Sequence, residues 1–92
     1  MKYVVRYESP PDLDMERVRE LFPAHRDRWS QYREAGTLLA IGPMADPRDG
    51  ALAVFTTREA AESFVAEDPF VRNGLVARHS ITAWNEALLE PV

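Results

Sequence analysis

Residues 37–55 read TLLAIGPMADPRDGALAVF, and this stretch decides the fold. Thr37 to Gly42 is a short apolar run that predicts a strand closed by Pro43. Ala45 to Gly50, with its proline, glycine and aspartates, has the composition of a turn. Ala51 to Phe55 resumes strand character, antiparallel to the first run if the turn makes a hairpin.

The flanks of the hairpin complete the pattern. On its N-terminal side a helical segment is expected from about Leu13 to Ala35, with Gly36 as its stop. Met15, Val18, Phe22, His25, Trp29 and Tyr32 follow at intervals of three and four, so all six share one helix face. Pro23 lies within this segment and predicts either a bend or a new helix beginning there. In the second case His25 lies near a helix N-terminus, where the dipole disfavours its protonated form. Before the helix, Tyr3 to Tyr7 is a first strand, ended by Ser9-Pro10-Pro11. Beyond the hairpin, Thr56 with Glu59 three residues later predicts a helix start of capping-box type. Ala60, Ala61, Phe64 and Val65 supply its apolar face. Asp68-Pro69-Phe70 interrupts it, a short turn of helix runs to Asn73-Gly74, and Leu75 to Trp84 is a fourth strand. The order β-α-β-β-α-β predicts a ferredoxin-like α+β fold, a four-stranded antiparallel sheet with both helices on one face.

Ninety-two residues are expected to make one domain, 1–92, with a thin core. Small domains of this kind often rely on disulfides, a metal or a partner subunit. Cysteine is absent and only two histidines are present, which excludes disulfides and leaves little for a zinc site. A homodimer is the remaining device and is the expectation. The net charge of −4 argues against nucleic acid. The longest apolar run, Leu38 to Ile41, is far too short to span a bilayer, and Tyr3-Val4-Val5 is too short for a signal-peptide core, so a cytoplasmic protein is expected.

His25 is the residue with chemical potential, because an imidazole on an apolar stripe needs a hydrogen-bond partner and also suits proton transfer near neutrality. From the residues alone, such a histidine is more often structural. Asp68 before Pro69 is a standard helix N-cap arrangement, and Phe22, Trp29 and Tyr32 fit a core or a dimer contact better than a ligand wall. His79 is expected to be structural or at a rim, and Arg26 and Arg28 to lie on a solvated face. Ser63 and Ser80 lack a nucleophile's setting, and Asp46, Asp49, Glu59 and Glu62 belong to turns and surface. No phosphate loop or dinucleotide fingerprint is present.

Pro23-Ala24-His25, Gly36, Gly42-Pro43-Met44, Asp49-Gly50, Asp68-Pro69-Phe70 and Asn73-Gly74-Leu75 together give the chain a specific likeness. It resembles the YCII-related (YciI-like) family along essentially its whole length, from Lys2 to near Trp84. That resemblance implies a ferredoxin-like fold of the dimeric α+β barrel type, paired through the sheets, with a pocket holding a histidine and an aspartate. By motif match these fall on His25 and Asp68, as a catalytic dyad. It further implies proton abstraction or elimination on small cyclic, often aromatic, compounds, with no cofactor. Phe22, Trp29 and Phe70 would then be apolar walls for a planar substrate, and Gly42-Pro43 either a backbone donor or a tight bend. The leading expectation is a small cofactor-independent enzyme whose His25 moves a proton under orientation by Asp68, the reaction being an elimination, isomerisation or hydrolysis. The alternative is a non-catalytic dimeric small-molecule-binding or accessory protein. No metal, nucleic-acid or membrane partner is expected.

Overall fold

The hairpin and its flanks are organised as that order requires in the structure, a computed structural model describing residues 1–87. The last residues of the expected single domain, 88–92, lie outside the described ones. The elements are β1 (Lys2–Glu8), α1 (Met15–Glu34), β2 (Leu38–Pro43), a 3-10 turn (Pro47–Asp49), β3 (Ala51–Phe55), α2 (Arg58–Glu67), α3 (Pro69–Arg72) and β4 (Arg78–Trp84). The strands form one sheet in the order β2-β3-β1-β4, and each neighbouring pair is antiparallel. This is the ferredoxin-like α+β architecture.

Alternation along β1 sets the two faces: Val5 and Tyr7 are buried, while Arg6 and Glu8 are exposed. Val5 pairs with Ala53 on one side and Ile81 on the other. On this inner face Val5, Leu38, Ala53 and Phe55 pack against Ala61, Phe64 and Val65 of α2, with Trp29 and Tyr32 of α1 partly buried against the same cluster. Phe55 and Phe64 are fully buried with ring centroids 5.4 Å apart, and burying a side chain of this size contributes about 1.5–3 kcal/mol. The outer face carries Val4, Arg6, Leu52, Val54, Thr82 and Trp84 around a shallow depression. Leu52 and Trp84 remain 38% and 44% exposed there.

The ends of the elements follow local chemistry. Asp14 caps α1 by accepting from the N–H groups of Glu16 and Arg17. At its other end Gly36, at φ +80°, lets the Gly36 and Thr37 N–H groups reach the Arg33 and Tyr32 carbonyls, a Schellman closure. Pro23 does not divide the helix; α1 runs through it, at the loss of the hydrogen bond to the Arg19 carbonyl. His25 is therefore in mid-helix, and the N-terminal dipole has no part in its chemistry.

Three boundaries differ from the sequence reading. Pro43 does not close β2 but is its last residue, paired with Ala51; β2 is an edge strand, where a missing N–H is tolerated. The cap of α2 is Thr57, whose hydroxyl accepts from Ala60 N–H, because the Thr56 N–H is still tied to the Thr37 carbonyl. The fourth strand starts at Arg78 rather than Leu75. β1 ends at Glu8, whose carbonyl takes the Ala77 N–H, and the Leu75 N–H turns back to the Phe70 carbonyl.

Candidate active site

The predicted stripe on α1 is real, but it covers a cavity rather than a solid core. Met15, Val18, Phe22, His25 and Trp29 border a cavity of about 360 Å³ between α1 and the sheet. Its origin is legible in β3. The inward positions of that strand are Ala51, Ala53 and Phe55, and the two alanines leave a space that the phenylalanine fills one pair further along. Ile41, Gly42, Pro43 and Phe70 complete much of the lining. Among the described residues, no Asp, Glu, Lys or Arg side chain contributes to it. Phe22, 43% exposed, and the exposed Pro43 lie at its outer margin.

His25 is the only buried residue of α1. Its Nδ1 is 2.8 Å from Oδ1 of Asp68, a carboxylate with no exposed surface. The Phe70 ring stacks on the imidazole at 4.0 Å and 13°, and Phe64 meets it edge-on at 6.0 Å. These contacts fix both the tilt and the rotation of the ring.

Asp68 closes one element and opens the next. It is the C-cap of α2 and the N-cap of α3, where its Oδ1 also accepts from the Phe70 N–H at 3.2 Å. The cap and the histidine partner, two competing explanations of this residue from sequence, are the same oxygen atom. Its Oδ2 accepts from the Tyr7 hydroxyl at 2.7 Å. A buried carboxylate needs such donors to offset its desolvation. Burial, followed by the negative charge of Asp68, pushes the Tyr7 phenol well above its usual range, so the hydroxyl keeps its proton and donates.

Tyr7 is the site residue that the sequence reading missed. A signal existed, since Tyr7 shares the inward phase of β1 with Val5, and a buried phenol needs a polar partner.

With a carboxylate at Nδ1, the hydrogen-bond network assigns the ring proton to that nitrogen. Nε2 makes no hydrogen bond among the described residues, and the ring borders the cavity. The arrangement can accept a proton from a molecule in the cavity and return it.

The structure thus brings His25 and Asp68 into contact and places Phe22, Trp29, Gly42, Pro43 and Phe70 around one space. Gly42 and Pro43 make no tight bend: they lie in β2 opposite Leu52 and Ala51, and the turn begins only at Met44. The lesser candidates lie elsewhere. His79 is exposed on β4, opposite Tyr7. Arg26 is exposed over the Phe22 ring. Arg28, expected on a solvated face, instead donates to the Ser63 carbonyl at 2.6 Å and to the Phe64 carbonyl, joining α1 to the last turn of α2. Ser63 shares a hydrogen bond with the Tyr32 hydroxyl, and Asp46 caps the 3-10 turn. Among the described residues no group of three His, Cys, Asp or Glu side chains could hold a metal ion, and no helix is long and apolar enough to cross a membrane.

Comparison with curated proteins finds no match. Among solved structures the chain is similar to 5-chloro-2-hydroxyhydroquinone dehydrochlorinase from Burkholderia phenoliruptrix AC1100, in complex with 2,5-dihydroxybenzoquinone. The TM-score is 0.77 at 19% identity, over 96% of this chain and 97% of that one. At that identity the likeness shows a shared fold. The model of the YCII-related domain matches residues 1–85, and the chain therefore belongs to the YCII-related family.

Proposed function

We propose that this protein is a small cofactor-independent enzyme that moves a proton on a small cyclic organic substrate. His25 acts through Nε2 as general base and then acid, and Asp68 orients the ring and stabilises the imidazolium formed on the way. The observation that carries this reading is a buried histidine that borders an apolar cavity while its Nδ1 rests on a fully buried carboxylate.

The cavity narrows the substrate. A volume of about 360 Å³ is at the small end of ligand pockets and suits a single ring. A lining that, among the described residues, has no Asp, Glu, Lys or Arg suits a molecule that enters uncharged and presents one acidic O–H or C–H to Nε2. The structural neighbour is named for removing hydrogen chloride from a hydroxylated ring and holds a dihydroxybenzoquinone. Elimination is accordingly the reaction class proposed first. Phe70 and Phe22 would flank the ring, and closure of an apolar site around it strengthens each polar contact inside.

We further propose that two copies pair through the outer sheet faces, covering Leu52, Val54 and Trp84.

The test is a panel of hydroxylated and halogenated single-ring compounds, assayed with wild type and His25→Ala. Turnover that falls by at least about 10²-fold in the variant, with the fold retained, supports the reading. Turnover equal in both proteins refutes it. Binding without turnover of any member would make the site a receptor rather than a catalyst.

A further inference from the structure

Tyr7 is the one member of the buried cluster with no part in the chemistry proposed above. Tyr7 also borders the cavity, but its hydroxyl makes no hydrogen bond to His25; it donates to the far oxygen of Asp68, at 2.7 Å. A carboxylate beside an imidazole has two opposed effects. It orients the ring, but its negative charge also favours the imidazolium, and a histidine already protonated cannot act as a base. At Asp68 the charge is fully buried and so is not screened by water.

We propose that Tyr7 is a positioning residue for His25, acting through Asp68. Its hydroxyl anchors Oδ2, keeps Oδ1 in register with Nδ1, and takes up part of the carboxylate charge, weakening the pull of that charge toward the imidazolium. The placement of the tyrosine is determined by the sheet. Tyr7 pairs with Ala51 on one side, which the positive-φ Gly50 precedes. A Cβ at Gly50 would lie 2.1 Å from the Tyr7 carbonyl oxygen, so β1 and the hairpin approach each other there as only glycine allows. The phenol is thereby held at one depth beneath α1. Because its own proton is firmly retained, it can only donate to Oδ2.

Few other charges face the cluster. From α1, Arg28 is held on the Ser63 and Phe64 carbonyls, with Glu67 of α2 3.9 Å away. Arg26 lies over Phe22, Arg72 of α3 is exposed, and from the sheet the nearest titratable group by register is His79.

This inference rests on the reading of His25 as a proton acceptor, but its test requires no substrate. The ring protons of His25 and His79 are followed by NMR through a pH titration. In Tyr7→Phe the His25–Asp68 pair should take up its proton at higher pH than in wild type, by roughly half a pH unit or more, whichever partner holds it. His79, exposed, should not move. Incorporation of 3-fluorotyrosine, which keeps the shape and makes the phenol a stronger donor, should shift the pair in the opposite direction. Tyr3 and Tyr32 are labelled too, but neither hydroxyl touches Asp68. In an Asp68→Asn background Tyr7→Phe should leave the His25 titration where it is. An unchanged or lowered midpoint in Tyr7→Phe, or no response to the fluorinated ring where Tyr7→Phe does not fold, overturns the proposal. Either result leaves the catalytic test of His25 independent.

Discussion

Replacing Asp68 by alanine should destabilise the protein severely, although no apolar contact of note is lost. The carboxylate is fully buried and accepts from three groups: Nδ1 of His25, the Tyr7 hydroxyl and the Phe70 N–H. A hydrogen bond to a charged group contributes about 1.5–3 kcal/mol, and loss of an N-cap alone costs about 1 kcal/mol. The three bonds converge on one residue and are not additive, and water entering the adjacent cavity can recover part of the loss at His25. A net loss of about 3–5 kcal/mol is expected, the range for breaking a buried ionic pair. Against a total stability of about 5–10 kcal/mol for a domain of this size, that is a large fraction. With a urea dependence of about 1–1.5 kcal/mol per molar, the unfolding midpoint should fall by roughly 2–5 M. Asp68→Asn should lose markedly less, since the amide oxygen can still serve Nδ1 and the Phe70 N–H while the Tyr7 hydroxyl turns to accept from the amide nitrogen. Equilibrium urea denaturation, followed by tryptophan fluorescence and circular dichroism, measures both. If Asp68→Ala lost less than about 1 kcal/mol, or Asp68→Asn lost as much as Asp68→Ala, the three-donor description of this residue would be wrong.

Other perturbations separate the parts of the fold. Ala53→Leu adds three carbons to the cavity floor, each contributing about 0.8 kcal/mol if it packs without strain. Stability should hold within about 2 kcal/mol while affinity for ring ligands, read by ligand-observed NMR, falls at least about tenfold; unchanged affinity would place the ligand elsewhere. Pro23→Ala restores the helix hydrogen bond to Arg19 at a position where residues 22–24 are exposed, so thermal unfolding should show a gain of about 1–3 kcal/mol. A loss would mean that a bend at Pro23 is needed to seat His25. Val54→Lys places a charge in the middle of the outer sheet face; sedimentation should show a monomer with native circular dichroism, and an unaffected dimer would mean that the copies pair through another surface.

How much of this was legible in the sequence depends on the kind of signal. Element order was legible because the helix period along Met15 to Tyr32, the turn at Ala45 to Gly50 and the cap at Asp68 each carry a local mechanism. Register was not. Leu38 to Ile41 is apolar throughout, so no alternation shows which side chains face inward. In the structure a bulge between Leu38 and Ala40 lets Leu38 oppose Phe55 and Ile41 oppose Ala53 on the same face, three residues apart. Leu39, the extra residue, is left 51% exposed.

The candidate site shows the same division. His25 stood out because an imidazole violates the apolar pattern around it, and such a violation is visible in one dimension. Asp68 did not stand out by itself, because capping α3 is a sufficient local explanation for it. Tyr7 was hidden more deeply, since aromatic residues are ordinary in strands and its hydroxyl acts on a residue 61 positions away. Each member of the cluster has an adequate local reason to be where it is: a helix face, a cap, a strand. The chemistry proposed for the site arises only where those three local reasons meet in space. A substitution that preserves a local role while breaking the junction, such as Tyr7→Phe in β1, is therefore the kind that separates function from fold.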